Sequence, residues 1–370
     1  MKIGVLTSSR ADFGIYLPLL IELKKDSLFS LHIIAFGAHL SPNYGYTINE
    51  IKRYDFKSIH EVKTMESFVD DEAGVSSNYG STISLFSTFW NKNKFDLVFC
   101  LGDRYEMSAA VQAAIPFRIP FAHLHGGETT LGAIDNIFRH QITLASKLHF
   151  ATTAKHLEKI IHLTGQVNNI YNVGSLSLND LHDFQPKNRS ILKKLFHIPN
   201  SPYLLVTFHP ETIDLDNNRF FVEILEKVFI ELQKSLHIVI TMPNADTLGS
   251  IYRTKFEELS KAFPKKIITV ESFGKDYYFD VMHYSTAMLG NSSSGIIEAA
   301  SFNKYVINVG NRQKGRTASQ NVYHVEYNIE KILNTVNKVI SFGVYTGENL
   351  YWKDKPAKKI IRILKNEFNL

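Results

Sequence analysis

Two doubly wound α/β halves are the fold class that this sequence of 370 residues predicts. Short β-branched and aromatic runs alternate with amphipathic segments of helical period, the pattern of parallel strands buried on both faces by helices. The alternation lapses once, near residues 170–190, and then restarts. The length also exceeds what one ordinary core serves and suits two domains of similar size.

In order, the first half reads KIGVLT and GIYLPLLIELKKD, LHIIAF, FDLVFCLG and RYEMSAAVQAAI, PFAHLH, then KLHFAT and AKHLEKIIHLTG. After VNNIYNVGSLSLNDLHDFQPKN the second half brings YLLVTF, a helix over 219–232, HIVITM, a helix through KFEELSKAF, KIITV, STAMLG, a helix from Ser294 and KYVINVG. The expected domains are 1–175 and 176–348. Residues 349–370 contain YWKDKPAKKIIRILKNEF, a basic amphipathic helix expected to pack its apolar stripe back at the domain junction.

With 44% hydrophobic and 21% charged residues the chain is expected to be globular and soluble. Its net charge of +5 suits an anionic small substrate, and no Lys/Arg block is dense enough for a nucleic-acid backbone. Cys100 is the one cysteine, which excludes an internal disulfide and a cysteine-based zinc site. Within FDLVFCLG it reads as a small buried hydrophobe rather than a nucleophile. MKIGVLTSSR has no secretory apolar region, and no apolar run reaches the roughly 18–20 residues of a membrane span, so the expected location is cytoplasmic.

In open α/β sheets ligands sit outside the carboxyl ends of the strands. The residues there are TSSRADFG, GDRYE, HLHGGETT, HPET, MPNAD, GNSSSG and GNRQKGR, all polar. GNSSSGIIEAASF puts Ser292, Ser293, Ser294 and Gly295 where a helix starts, an arrangement suited to an anion. Plain N-capping by Ser293 or Ser294 explains the same stretch. Glu298, one turn on, is placed to accept both hydroxyls of a ribose or to serve as a first-turn dipole partner. Arg10, Arg312 and Arg316 offer guanidinium forks that match phosphate oxygens.

The remaining strand ends carry groups for proton transfer: Asp103 with Arg104, then His123, His125 and Glu128 around a Gly-Gly pair, and Asp135 with Arg139 and His140 on the next helical turn. A zinc site from His123, His125 and Asp103 is the competing view, but the spacing supplies no further ligand, so no metal is expected. His209 in HPET ends a buried strand and is read as a wall of the site rather than a strand cap.

Together these motifs resemble the UDP-N-acetylglucosamine 2-epimerase family, in particular its hydrolysing branch of the sialic-acid and legionaminic-acid pathways. The resemblance runs in order through TSSRADFG, LGDRYE, HLHGGETTLGAIDNIFRH, TFHPET, GNSSSGIIEA and GNRQKGR, nearly the whole chain. It implies a glycosyltransferase-B-like architecture with UDP held mainly by the C-terminal half, no cofactor, and a homo-oligomer, dimer or tetramer. It also implies elimination of UDP to a 2-acetamidoglucal and hydration to N-acetylmannosamine, the alternatives being the same reaction on UDP-N,N′-diacetylbacillosamine or glycosyl transfer. Asp103 and Asp135 match acid/base and cation-stabilising carboxylates, and His209 matches a histidine near the leaving phosphate. Arg10, Ser293, Ser294, Glu298 and Arg312 match nucleotide-binding positions, with Arg104, Arg139, Ser292, Gly295 and Arg316 expected on the same substrate side. Many relatives read H-x-E-G-G-E where this chain has His125, so the second acid/base is either His125 or Glu128.

Overall fold

The computed structural model describes every residue except 43–44, 66–71, 133 and 244–247, together with the side chains of all but 275 and 276 among the rest. The Asn244, Ala245 and Asp246 portion of MPNAD therefore lies outside the described residues. The chain forms two compact units. The first comprises Met1–Glu128, Asp135–His182 and Tyr351–Leu370, and the second Thr129–Ile134 and Asp183–Leu350.

In the first unit, strands β1 (Lys2–Thr7), β2 (Ser30–Phe36), β3 (Ile59–Val62), β4 (Leu97–Leu101), β5 (Phe121–Leu124), β6 (Leu148–Ala151) and β7 (Ile170–Asn172) form one sheet. Its order is β3-β2-β1-β4-β5-β6-β7 and every pairing is parallel. Alternate residues feed two apolar cores, Leu97, Phe99 and Leu101 on one face and Val98 and Cys100 on the other. Both faces of a central strand are thus covered, which is why the run is apolar without alternation. Cys100 is fully buried, and burial pushes its thiol up to about 12, so it is packing rather than a nucleophile.

Helix Arg10–Lys25 begins with a capping box in which Ser9 and Asp12 bond each other's backbone N–H. The C-terminal helix, Pro356–Glu367, buries Ala357, Ile360 and Leu364 against this helix, inside the core of the first unit. Its apolar stripe is therefore part of one domain's core.

In the second unit, β8 (Tyr203–Thr207), β9 (His237–Thr241), β10 (Ile267–Val270), β11 (Ala287–Gly290), β12 (Val306–Val309) and β13 (Val322–Val325) are again all parallel, in the order β10-β9-β8-β11-β12-β13. The two sheets share one topology, with the strand order reversing between β1 and β4 and between β8 and β11. Those reversals are where α/β sheets open a crevice for ligands. Among the described residues no helix is long and apolar enough to cross a membrane.

His39, His123 and His149 are among the histidines buried in the first unit. Burial lowers His123 to about 3 and His39 and His149 to about 4, so all three fold as neutral rings. The unfolded chain binds protons near pH 6.5 that the folded chain refuses. Stability from these groups is present above that pH and is lost as pH falls from about 6.5 towards 4, by on the order of a kcal/mol per pH unit for each ring. Urea midpoints taken across that range are expected to fall steadily; a flat profile would contradict the assignment.

Candidate active site

At the end of β4 and β5 in the first unit, three predicted residues, Asp103, His125 and Glu128, meet on the guanidinium of a fourth. Arg139, from the helix Asp135–Ala145, is 1% exposed, and its fork pairs with Asp103 and with Glu128. Its NH1 lies 3.2 Å from Glu128 Oε2 and also donates to the His125 carbonyl at 3.4 Å. Glu128 in turn holds the His125 ring, Oε1 to Nδ1 at 2.9 Å, and accepts from the Thr152 hydroxyl at 3.1 Å. A fully buried Glu128 and a partly exposed Asp103 are tolerable together here because one planar cation faces both.

Arg139, expected on the substrate side, pairs in this structure with Asp103 and Glu128. The burial needed to see that comes from tertiary packing. Asp135 opens the helix that carries Arg139, half-buried and four residues before it, so it occupies the first turn where a carboxylate also opposes the helix dipole. Arg104 folds onto the buried Glu106, with Nε and NH2 at 3.2 and 3.1 Å from Oε1. Arg10 is exposed at the end of β1, and Ser8 and Ser9 there are committed to Asp12. His123 is fully buried, with Nε2 2.9 Å from the Gly102 carbonyl and Nδ1 3.1 Å from Thr143 Oγ1. Both ring nitrogens are occupied, and among the described residues no three His, Cys, Asp or Glu side chains form a set that could hold a metal. His123, His125 and Asp103 do not form such a set among the described residues.

The second unit assembles its own cluster where the strand order reverses. Asn291, just past β11, donates to the His209 carbonyl and accepts from the His209 N–H, each at 2.8 Å, stapling the ends of β8 and β11 together. Gly290 is required for that approach, since a Cβ there would lie 2.0 Å from the Thr207 carbonyl oxygen. The Asn291 carbonyl then accepts from Gln313 Nε2 at 2.8 Å and from Arg312 NH1 at 3.4 Å. Arg316 NH1 donates to Gln313 Oε1 at 3.0 Å, so Arg312 and Arg316 are both braced by one loop.

Glu211 of HPET explains how that loop is held. It is 3% exposed, and its Oε1 accepts from the Asn311 N–H at 2.7 Å; burial raises its carboxyl, while the Asn311 and Arg312 N–H groups oppose the rise. Gly310, at φ +81°, must be glycine because a Cβ would fall 2.0 Å from Glu211 Oε1. HPET is thus a latch for that loop, with Glu211 inward and His209 buried at the β8 end.

The Gly/Ser stretch differs from its expectation. The helix is Ser293–Ile297, its cap is Ser292, whose Oγ accepts from the Ser294 N–H at 3.3 Å, and Glu298 closes it before a 3-10 turn at Ala299–Phe302. So short a helix has little dipole to offer. Gly295 is accounted for by packing, since a Cβ there would meet Val306 Cγ1 at 2.9 Å. Sequence reasoning also missed Tyr278, whose hydroxyl stands 2.7 Å from Ser294 Oγ; desolvation raises it, and the charge of Glu298 adds to that.

The segment Thr129–Ile134, between Glu128 and Asp135, belongs to the second unit. Leu131 N–H donates to the Lys314 carbonyl at 2.9 Å, and a Cβ on Gly132 would lie 2.1 Å from the Asn311 carbonyl oxygen. This strap lies on the same loop that carries Arg312 and Arg316.

The chain matches the family model described as UDP-N-acetylglucosamine 2-epimerase over residues 21–365. It is 33% identical to the GDP/UDP-N,N′-diacetylbacillosamine 2-epimerase (hydrolyzing) of Campylobacter jejuni over 328 residues, 88% of this chain and 85% of that protein. It is 32% identical to the UDP-N,N′-diacetylbacillosamine 2-epimerase (hydrolyzing) of Legionella pneumophila, covering 98% of this chain and 95% of that one. The fold superposes on UDP-GlcNAc 2-epimerase from Neisseria meningitidis bound to UDP-GlcNAc with a TM-score of 0.81, at 18% identity, over 99% of this chain and 100% of the other. Two parallel sheets, the ordered strand-end motifs and these matches agree, and the chain belongs to the UDP-N-acetylglucosamine 2-epimerase family.

Proposed function

We propose that this protein is a hydrolysing UDP-sugar 2-epimerase that eliminates UDP from C1 of a 2-acetamido sugar and hydrates the resulting glycal with inversion at C2. The observation that carries this is the Asp103–Arg139–Glu128–His125 cluster, charged and imidazole groups held rigidly at neighbouring strand ends in a member of this family. The C2 proton is barely acidic while the C1–O bond is intact. Departure of the diphosphate therefore leads, and an oxocarbenium-like C1 makes the C2 proton removable. Asp103, partly exposed beside Arg139, and Asp135 are the carboxylates assigned to the ring. Arg312, Arg316, Arg10 and His209 are assigned to the diphosphate, Ser292, Ser293 and Ser294 to its approach, and Glu298 to the ribose. A nucleotide-sugar substrate fits a cytoplasmic enzyme.

The sugar is assigned as N,N′-diacetylbacillosamine, because two relatives of which this chain spans most carry that substrate in their names. UDP-N-acetylglucosamine, giving N-acetylmannosamine, is the second reading, favoured by the family description. An NMR time course in D₂O with each nucleotide sugar and no acceptor decides. Free UDP and the 2-epimer carrying deuterium at C2 are expected, with the diacetylated sugar turned over at least about tenfold faster in kcat/KM, a preference on the order of 1.4 kcal/mol. Preference for UDP-N-acetylglucosamine would reverse the assignment of the sugar. UDP released with an unexchanged, unepimerised sugar would sink the epimerase reading.

A further inference from the structure

We propose that His125, through Nε2, is the base that takes the C2 proton, and that Glu128 is its positioning partner rather than the base; the inference rests on the epimerase reading above. The sequence leaves these two residues as alternatives, and the hydrogen-bond pattern separates them.

Glu128 is fully buried and its acceptor capacity is in use. Oε1 faces His125 Nδ1 at 2.9 Å and the Thr152 hydroxyl at 3.1 Å, and Oε2 faces the Arg139 fork at 3.2 Å. A carboxylate paired with a guanidinium stays ionised and accepts only. Both of its oxygens are engaged by these partners, and the side chain has no exposure.

The same pairing fixes the His125 tautomer. Because a carboxylate can only accept, the proton must sit on Nδ1, which leaves the lone pair of a neutral ring on Nε2. That Nε2 is buried, and among the described residues it has no hydrogen-bond partner. His125 itself is 7% exposed. Buried polar atoms are nearly always satisfied, so a basic lone pair that no protein group satisfies needs a reason. An incoming C–H to be deprotonated supplies one.

The backbone supports the assignment independently. His125 sits at φ +63°, a left-handed conformation that costs a non-glycine residue of the order of 1–2 kcal/mol. Gly126 and Gly127 follow, each without room for a side chain: a Cβ would come 2.9 Å from His123 Nδ1 at the first and 2.2 Å from the His156 carbonyl oxygen at the second. A third glycine would be the relaxed choice at 125, and an imidazole stands there instead. It is held on both sides, its N–H donating to the Phe150 carbonyl at 3.2 Å and its own carbonyl accepting from Arg139 at 3.4 Å. Charged or titratable groups near the ring include Glu128 on Nδ1, Arg139 on the His125 carbonyl, His123, and His156 across Thr152. Glu128 is the anion in contact with the ring, so an imidazolium formed at 125 is compensated where it forms.

In the step, the C1–O pair leaves on the β-phosphate of UDP, the C2 proton passes to Nε2, and the C2–H pair becomes the C1=C2 bond. In the return step water supplies the hydroxyl at C1 and a second acid delivers a proton to the opposite face of C2. The imidazolium then loses its proton to solvent. The sum is nucleotide sugar plus water giving UDP, the 2-epimer and one proton.

The test uses the full chain with the nucleotide sugar that the wild type turns over. Asparagine and glycine both accept φ near +60°, so His125→Asn and His125→Gly are compatible with the turn. Each is expected to lower kcat by about 10²–10⁴-fold, the usual weight of a general base, with UDP affinity by calorimetry within about threefold. Added imidazole is expected to restore turnover and C2 deuterium incorporation in His125→Gly, which recovery of folding alone would not produce. Glu128→Gln is expected to lower kcat less than His125→Asn and to leave KM within a few-fold. Retention of kcat within tenfold in His125→Asn, or loss in both His125 variants without imidazole rescue, would overturn the proposal. A wild type that epimerises neither sugar would instead remove the reading on which it stands.

Discussion

Replacing Arg139 by leucine is expected to lower the unfolding free energy by about 3–5 kcal/mol, the cost of breaking a buried ion pair from one side. The side chain is 1% exposed and answers both Asp103 and Glu128, and Glu128 has no exposure through which water could take over. Part of the penalty falls on Asp103, which is about a quarter exposed and can recover some hydration. Lysine is expected to rescue only partly, because a point charge on a flexible stem cannot fork between two carboxylates. Urea denaturation of the two variants measures this. A loss below about 1 kcal/mol for Arg139→Leu would mean that the carboxylates are not both ionised in the folded protein.

Asp103→Asn is the opposite kind of change, large in turnover and small in stability. The amide keeps the shape and one acceptor for Arg139, which retains Glu128 as its partner, so the fold is expected to hold. The charge that would steady an oxocarbenium-like centre is lost, and kcat is expected to fall by about 10²–10⁴-fold. UDP affinity is expected to stay within a few-fold, because the residues assigned to the diphosphate are Arg10, Arg312, Arg316 and His209. Steady-state kinetics and calorimetry with UDP separate the two effects; a large loss of UDP binding would show that Asp103 belongs to the nucleotide and not to the ring.

How much of this was legible in the sequence depends on the range of the interaction. Strand runs such as FDLVFCL and YLLVTF declare themselves because both faces of a parallel sheet need apolar side chains, and the polar residues after them fall at the strand ends that the topology then gathers. Cys100 could be read as buried from its neighbours alone. Local pattern failed where a side chain chooses among distant partners. Arg139 looks like any arginine on an amphipathic helix, and only the fold brings Asp103, 36 positions away, into its fork. Glu211 reads as a polar residue at a strand end, yet its partner is the backbone 100 positions on. The stretch through GIIEAASF carries a helical pattern from Ser294 onward, but the α-helix spans only Ser293–Ile297. The pattern left His125 and Glu128 equivalent, and the bond between His125 Nδ1 and Glu128 Oε1 is the observation on which the proposal separates them.

The strap at Thr129–Ile134 bears on how such proteins can be recombined. The chain passes between its two units four times, at 128/129, 134/135, 182/183 and 350/351, so neither unit is a single uninterrupted stretch. A chimera that exchanged only residues 183–350 would set a foreign loop against the resident Leu131 and Gly132, where there is no room even for one extra methyl group. The six residues of the strap have to travel with the loop they lie on, although they are spelled inside the other unit's most chemically loaded segment.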